Sequence, residues 1–387
     1  MWSRLASDRL RGLWLGFPAV LVLGARQVGK TSLARRTFPA AGYCDLEEPN
    51  LRLLFTDDPK FQIESRTVPA GLILDEAQSV PAVFSALRGI IDARRSEHGR
   101  FLLLGSAQPA LVREVSESLA GRIGILDLDP LTAREASAGR PSRRMEDVWV
   151  RGGFPDALRG SHREWWEAYL RTYVERDLPH LGLAAEPLLL RRLLTMLAHS
   201  QGGLLNASQL GRSLGVSYHT VQRYLDLLER TFLVRRLPPY FRNVGKRLTK
   251  SPKVYLRDTG LLHHLLNITT LSDLDHHPIR GASWETFVLE DLLRRERLVH
   301  PHSQPYFWRT AAGAEVDLVI DRGSTRFVVE IKAGRAGRPE LARAVEQAAA
   351  DIRAERAWIL DQAEGTDPLR PNVERRGMAQ SLEWLPS

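Results

Sequence analysis

The chain has 387 residues, of which 43% are apolar and 26% charged. Those are ordinary globular values, which exclude a largely disordered or fibrous chain, and the length suits two or three domains that each bury a core. The net charge is +8, from 54 Lys or Arg against 46 Asp or Glu, and the single Cys44 excludes an internal disulfide and a cysteine metal site.

Met1 to Leu15 reads as an amphipathic helix, and Arg4, Asp8, Arg9 and Arg11 interrupt any signal-peptide core. The longest clean apolar run, Phe17 to Ala25, is far short of the ~20 residues that span a bilayer. The expectation is a cytoplasmic protein with no membrane partner. Short apolar strands are expected at Ala19–Leu23, Tyr43–Leu46, Gly71–Leu74, Phe101–Leu104 and Ile123–Leu126. Helices are expected at Lys30–Arg36, Pro81–Arg95 and Ala110–Leu119. This alternation predicts an α/β parallel sheet covered on both faces.

Between the first strand and its helix lies Gly24-Ala25-Arg26-Gln27-Val28-Gly29-Lys30-Thr31, followed by Ser32. It fits G-x-x-x-x-G-K-[ST] in the strand–loop–helix context that motif requires. The glycines let backbone N–H groups turn toward phosphate oxygens, and the helix N-terminus adds partial positive charge. Lys30 would reach the β- and γ-phosphates of ATP, and the Thr31 hydroxyl would hold Mg²⁺. Leu72-Ile73-Leu74-Asp75-Glu76 fits the partner motif: Asp75 would coordinate Mg²⁺ through water and Glu76 would act as general base. Ser106, just past the fourth strand, is placed to bond the γ-phosphate or the water; a turn or capping serine is the alternative. Arg122 is a candidate for stabilising transition-state charge in a neighbouring subunit, with Arg176 a second candidate; a surface arginine is the bland alternative.

Arg134 to Arg144 reads as a boundary, and Trp165 to Leu194 is helical in pattern. The segment Leu204–Gly260 then carries eleven Lys or Arg against three Asp or Glu, the whole charge excess of the chain. That is the footprint of a nucleic-acid contact surface, with an arginine-rich solvated face as the alternative. Asn206 or Ser208 would cap one helix, Leu214-Gly215-Val216-Ser217 would make a tight turn, and Tyr218 to Glu229 would form a second helix. Val221, Leu225 and Leu228 would face the core, leaving Tyr218, His219, Gln222 and Arg223 for the major groove of DNA. Arg242, Lys246, Arg247, Lys250 and Lys253 would follow as a wing along phosphates.

The tail predicts a helix at Trp284–Leu293, strands at Tyr306–Arg309, Val316–Asp321 and Phe327–Ile331, a helix at Pro339–Ala354 and a strand at Ala357–Leu360. Asp317 and Glu330-Ile331-Lys332 form a D…E-x-K array on adjacent strands, where alternate residues share a face. The carboxylates would bind Mg²⁺ or Mn²⁺, Lys332 would orient water for phosphodiester hydrolysis, and Glu285 would add a ligand. A salt-bridged strand pair is the structural alternative. Only six residues of the chain are lysines, against 48 arginines, so a retained lysine suggests a compact ammonium is needed there.

Together these motifs resemble the bacterial and archaeal AAA-type ATPases whose C-terminal half is a domain of uncharacterised function. The resemblance rests on the phosphate loop, Leu74-Asp75-Glu76-Ala77-Gln78 followed by Pro81, Ser118-Leu119-Ala120-Gly121-Arg122, Gly152-Gly153-Phe154-Pro155 and Glu175-Arg176-Asp177. It extends to Lys253-Val254-Tyr255, Asp258-Thr259-Gly260-Leu261, Glu315-Val316-Asp317 and Glu330-Ile331-Lys332. It implies an AAA+ P-loop core over 1–134, a helical lid over 135–195, a winged helix over 196–262 and a restriction-endonuclease-like domain over 263–387. That last fold includes Holliday junction resolvases; their signature usually begins Pro-Asp, whereas Val316 precedes Asp317 here. The expected function is an ATP-hydrolysing homo-oligomer that binds and remodels duplex or branched DNA. The alternative is a nucleotide-gated switch acting on a protein partner or promoter without DNA cleavage.

Overall fold

A computed structural model describes residues 2–106, 109–138, 144–178, 186–240, 251–310, 313–334 and 339–381, without the side chains of residues 109, 110, 112, 113, 116, 176 and 177. The chain forms two compact units: residues 4–130 with 230–232, and residues 131–229 and 233–387 with 1–3.

The first unit follows α1 (Ala6–Gly16) with strands β1 (Ala19–Gly24), β2 (Gly42–Asp45), β3 (Leu72–Asp75), β4 (Phe101–Ser106) and β5 (Ile123–Leu128). All six residues of β1 are buried, as a strand covered on both faces demands. The strands are parallel in the order β2-β3-β4-β1-β5. Helices α2 (Lys30–Thr37), α3 (Pro49–Asp57), α4 (Pro59–Arg66), α5 (Ala82–Ala93) and α6 (Pro109–Ser118) complete it. The face of α5 built from Val83, Phe84, Leu87, Ile90 and Ile91 is buried in one cluster with Leu21, Leu74, Phe101 and Leu103.

Helices α3 and α4 lie outside the expected elements; α3 buries only Phe55 and leaves Leu53 and Leu54 exposed, so its apolar residues mark no single buried face. Their ends explain them: each has proline in its first turn, and Glu48 and Asp58 cap the free backbone N–H groups.

In the second unit, α7 (Ala133–Ala138), α8 (Met145–Arg151), α9 (His162–Thr172) and α10 (Pro187–His199) lead to α11 (Ala207–Leu214) and α12 (Tyr218–Arg230). Asn206 caps α11, Gly215 ends it in the left-handed region at φ +71°, and Ser217 caps α12 through Thr220 N. An antiparallel hairpin follows, β6 (Val234–Leu237) with β7 (Lys253–Leu256), and Leu204 bridges to Lys253. Next come α13 (Thr259–Leu265), α14 (Leu271–Asp275) and the long α15 (Arg280–Val299).

Helix α15 outruns its expected span of Trp284–Leu293. Its charged C-terminal half is buried and paired inside the protein: Glu290 with Arg235 and Arg257, Asp291 with Arg295, and Glu296 with Arg322. A periodicity reading treats such residues as solvated and stops too early.

Strands β8 (Gln304–Arg309), β9 (Glu315–Asp321) and β10 (Arg326–Ile331) form an antiparallel meander. Helix α16 (Pro339–Ile352) crosses to β11 (Arg356–Asp361), parallel to β10. With β12 (Thr366–Arg370) and β13 (Val373–Gly377) they make a mixed sheet in the order β12-β13-β11-β10-β9-β8, and α17 (Met378–Ser381) ends the described chain. The segments expected as lid, winged helix and tail thus share one compact unit. Among the described residues no helix is long and apolar enough to cross a membrane.

Candidate functional site

The strand order brings three chain ends together at the carboxyl edge of the first sheet, where open α/β sheets bind ligands. Strand β4 lies between β1 and β3, and Gly24 is paired in register with Ser106. The loop after β1 must curl tightly. Gln27 (φ 58°) and Gly29 (φ 97°) are both left-handed, and a Cβ on Gly24 would lie 2.5 Å from Leu128 O. Lys30 is buried and its Nζ donates to Gly24 O at 3.2 Å and Ala25 O at 3.1 Å. Burial holds its pKa below the usual lysine value, with Glu76 and Asp75 partly opposing. The remaining loop residues Ala25, Arg26, Val28 and Ser32 occupy the same turn and first helical turn.

Asp75 ends β3 as the hub of the site. Its Oδ2 accepts from Thr31 Oγ1 at 2.6 Å and from Tyr43 OH at 2.9 Å, and its Oδ1 accepts from Glu76 N at 3.0 Å. Glu76 sits in the left-handed region at φ 49°, and Gln78 Nε2 donates to its Oε2. Burial raises the Glu76 carboxyl, and Lys30 pulls it back down. Ser106 Oγ and Gln78 Oε1 are buried with no hydrogen-bond partner among the described residues. Such orphaned polar atoms ask for a ligand. The donors fit a magnesium nucleotide: loop N–H groups and Lys30 for phosphate, Thr31 and Asp75 for the ion, Ser106 facing the same edge.

Arg122 precedes β5, so it lies at the opposite edge of the sheet from its own phosphate loop. Asp92 grips it with two hydrogen bonds, 2.7 Å at Nε and 2.9 Å at Nη2. Arg176 falls in the π-helical turn Tyr173–Asp177, and its side chain lies outside the described residues.

On α12, Tyr218, His219 and Arg223 are exposed; Gln222 is half-buried, donating to Tyr218 OH and accepting from Arg236 Nη1. Arg242, Lys246, Arg247 and Lys250 lie outside the described residues. Lys253 requires a correction. It is 3% exposed rather than on a phosphate-contacting surface, because three carboxylates hold its ammonium inside the protein. The charge footprint shrinks accordingly. Arg235 and Arg257 are both spent on buried Glu290, and Arg236 on Asp226 and Glu229. Linear charge had counted them as surface.

The structure does bring Glu285, Asp317, Glu330 and Lys332 into one cluster, with Glu315 and Tyr255. Lys332 Nζ lies 2.5 Å from Glu330 Oε1 and 3.9 Å from Asp317 Oδ2, which also accepts from Ile331 N at 2.8 Å. Tyr255 OH donates to Glu285 Oε1 at 2.6 Å. Burial, then the neighbouring Asp317 charge, push Glu285 up to about 7 and Glu330 up to about 8. Among the described residues no group of three His, Cys, Asp or Glu side chains is arranged to hold a metal ion. The expected Mg²⁺ or Mn²⁺ ligand set therefore does not form here; its oxygens face lysines instead.

Residues 16–137 match the AAA domain family, residues 142–272 a domain of unknown function (DUF8612) and residues 280–374 another (DUF4143). An uncharacterized protein of Mycobacterium tuberculosis is 40% identical over 376 residues, which cover 96% of this chain and 82% of that one. The chain belongs to that protein's family, a family of AAA-type ATPases. An uncharacterized protein of Haemophilus influenzae is 25% identical over 244 residues, covering 58% of this ATPase and 57% of its own length. The solved Walker-type ATPase of Pyrococcus abyssi is 15% identical, covering 69% of this chain and 96% of its own at a TM-score of 0.47.

Sequence reasoning missed three parts of this ATPase. Tyr43 reaches Asp75 from the neighbouring strand, and no local motif marks it. Gln78 was seen only as part of a resemblance, not as the group on Glu76. Lys253 was singled out by the scarcity of lysine, but its partners Glu285 and Glu315 are 32 and 62 positions away.

Proposed function

We propose that this ATPase hydrolyses ATP as a homo-oligomer and uses the turnover to bind and remodel duplex or branched DNA through its second unit. The observation that carries the hydrolytic part is the hub at Asp75, where Thr31, Tyr43 and Glu76 converge beside buried Lys30 and a Ser106 hydroxyl with no partner among the described residues. When bound, Mg²⁺-ATP supplies the phosphoanhydride and the charge-neutralising ion. The loop amides and Lys30 would bind and orient the phosphates, and Thr31 and Asp75 would hold the ion. Glu76 accepts a proton from water at the carboxylate that Gln78 holds, and burial above the usual carboxylate range improves it as a base near neutral pH.

Arg122, at the edge away from its own loop, would meet a phosphate only from a second copy and only on leaving Asp92. The exposed Tyr218–His219–Arg223 face and the hairpin that follows α12 support the winged-helix reading and a DNA contact. The α15-β8-β9-β10-α16-β11 order supports reading the tail as a nuclease-like fold kept for DNA binding, with the cutting chemistry absent or slow. Steady-state ATPase measurements with no DNA, linear duplex and a four-way junction test this function. Stimulation is expected, largest with the junction; identical rates in all three would remove DNA from the proposal.

One observation favours a second reading, a nucleotide-gated switch acting on a protein partner or promoter. Gln78 clamps the Glu76 carboxylate and Lys30 is folded onto its own loop, an arrangement suited to slow, gated turnover. Under that reading hydrolysis is slow and indifferent to every DNA.

A further inference from the structure

We infer that Lys253 is a resident cation in the carboxylate cluster of the second unit: its ammonium fills the space between Glu285 and Asp317 where a divalent ion would sit. The cluster is then a brace joining the β6–β7 hairpin to the terminal sheet, closed to metal and to phosphodiester hydrolysis. The inference does not depend on the nucleotide site.

The geometry is that of a saturated ammonium. Lys253 Nζ lies 2.5 Å from Glu315 Oε1, 3.4 Å from Glu285 Oε1 and 3.5 Å from Asp317 Oδ1. One short and two longer ion pairs bring three carboxylates from α15 and β9 around it. The side chain is only 4% exposed, so water does not share the work. Tyr255 donates to the same Glu285 oxygen, Oε1, while Ile331 N donates to Asp317 Oδ2, Arg309 pairs with Glu315 Oε2 at 3.2 Å, and Lys332 with Glu330 Oε1. Four carboxylates thus face three cations. One oxygen, Glu330 Oε2, is buried without a partner among the described residues, a single donor set apart from the ammonium's position.

A hard divalent ion needs oxygens at about 2.0–2.1 Å around an open centre. Here the centre holds a side chain rooted in a strand. Lys253 is paired to Leu237 across the hairpin and bridged to Leu204, so its backbone is fixed beside the cluster. The residue type fits the task. In a chain with 48 arginines and six lysines, two of the six meet in this cluster. A planar guanidinium is too broad for a three-carboxylate pocket that a compact ammonium fills.

Electron paramagnetic resonance of Mn²⁺ with the full-length, nucleotide-free protein tests this. The wild type is expected to bind no Mn²⁺ equivalent that Asp317→Asn removes. Lys253→Met is expected to gain one equivalent, lost again when Asp317→Asn is added, with circular dichroism and nucleotide binding reporting that the variant folds. A wild-type equivalent lost on Asp317→Asn would overturn the inference, and that comparison decides even should Lys253→Met fail to fold. A folded Lys253→Met that gains no Mn²⁺ would overturn it too. Labelled four-way junctions with Mg²⁺ or Mn²⁺ should remain intact; cutting that Lys332→Ala abolishes would also defeat it.

Discussion

Lys30 and Lys253 are both buried lysines within reach of acidic residues, yet they sit in opposite environments. Lys30 donates to two backbone carbonyls, and burial lowers its pKa more than Glu76 and Asp75 raise it. Burial acts against Lys253 as well, but Glu285, Asp317 and Glu315 together outweigh it and raise its pKa. The first ammonium uses two of its three donors on the chain, and Ser106 and Gln78 at the same edge keep atoms without a partner among the described residues. The second is saturated. Burial alone therefore does not say whether a charged group awaits a ligand or serves the fold; the number of partners supplied by the chain itself decides.

The largest effect should come from Lys30. Lys30→Ala should lower ATP turnover by about a hundredfold or more, as loss of a preorganised charge stabiliser does, and weaken binding of a fluorescent nucleotide. Near-normal turnover would break the contrast, because Lys30 would then be as structural as Lys253. Glu76→Gln should keep nucleotide affinity while kcat falls by about 10²-fold or more, the range for a lost general base. Turnover at the wild-type rate would remove Glu76 from that role.

Tyr43→Phe deletes one hydrogen bond to the Asp75 carboxylate. Such bonds contribute about 1.5–3 kcal/mol, so half-saturation by Mg²⁺-ATP should shift roughly tenfold with kcat little changed. An unchanged titration would place Tyr43 in the fold alone.

The smallest effect is on stability. Glu285 and Glu330 bind protons more tightly in the folded chain than unfolded, with values raised to about 7 and about 8. The folded state therefore holds the extra protons, so stability falls as pH rises from the ordinary carboxyl value of 4.5 to about 8 and levels off above it. The groups facing them are Asp317 on β9, Lys332 just past β10, and Lys253 and Tyr255 on β7. Thermal melts should drop by a few degrees between about pH 5 and about pH 8, and Glu330→Gln should flatten that slope. A flat wild-type profile would mean the cluster is less closed than its distances indicate.

The phosphate loop, Asp75, Glu76 and the parallel sheet were legible in the sequence because each is a local pattern. An apolar run must bury both faces, and a glycine loop between strand and helix leaves the backbone few other uses. The caps at Asn206 and Ser217 were legible for the same reason. What the linear chain could not give was pairing across distance. Glu290 gathers Arg235 and Arg257, α15 outlasts its apolar stretch, and Lys253 turns away from a phosphate-contacting role into a three-carboxylate pocket. A sequence fixes how many charges a segment carries. Only tertiary packing sets how many face solvent, because the cost of burying an ion falls when counter-charges arrive from elements far away in the chain.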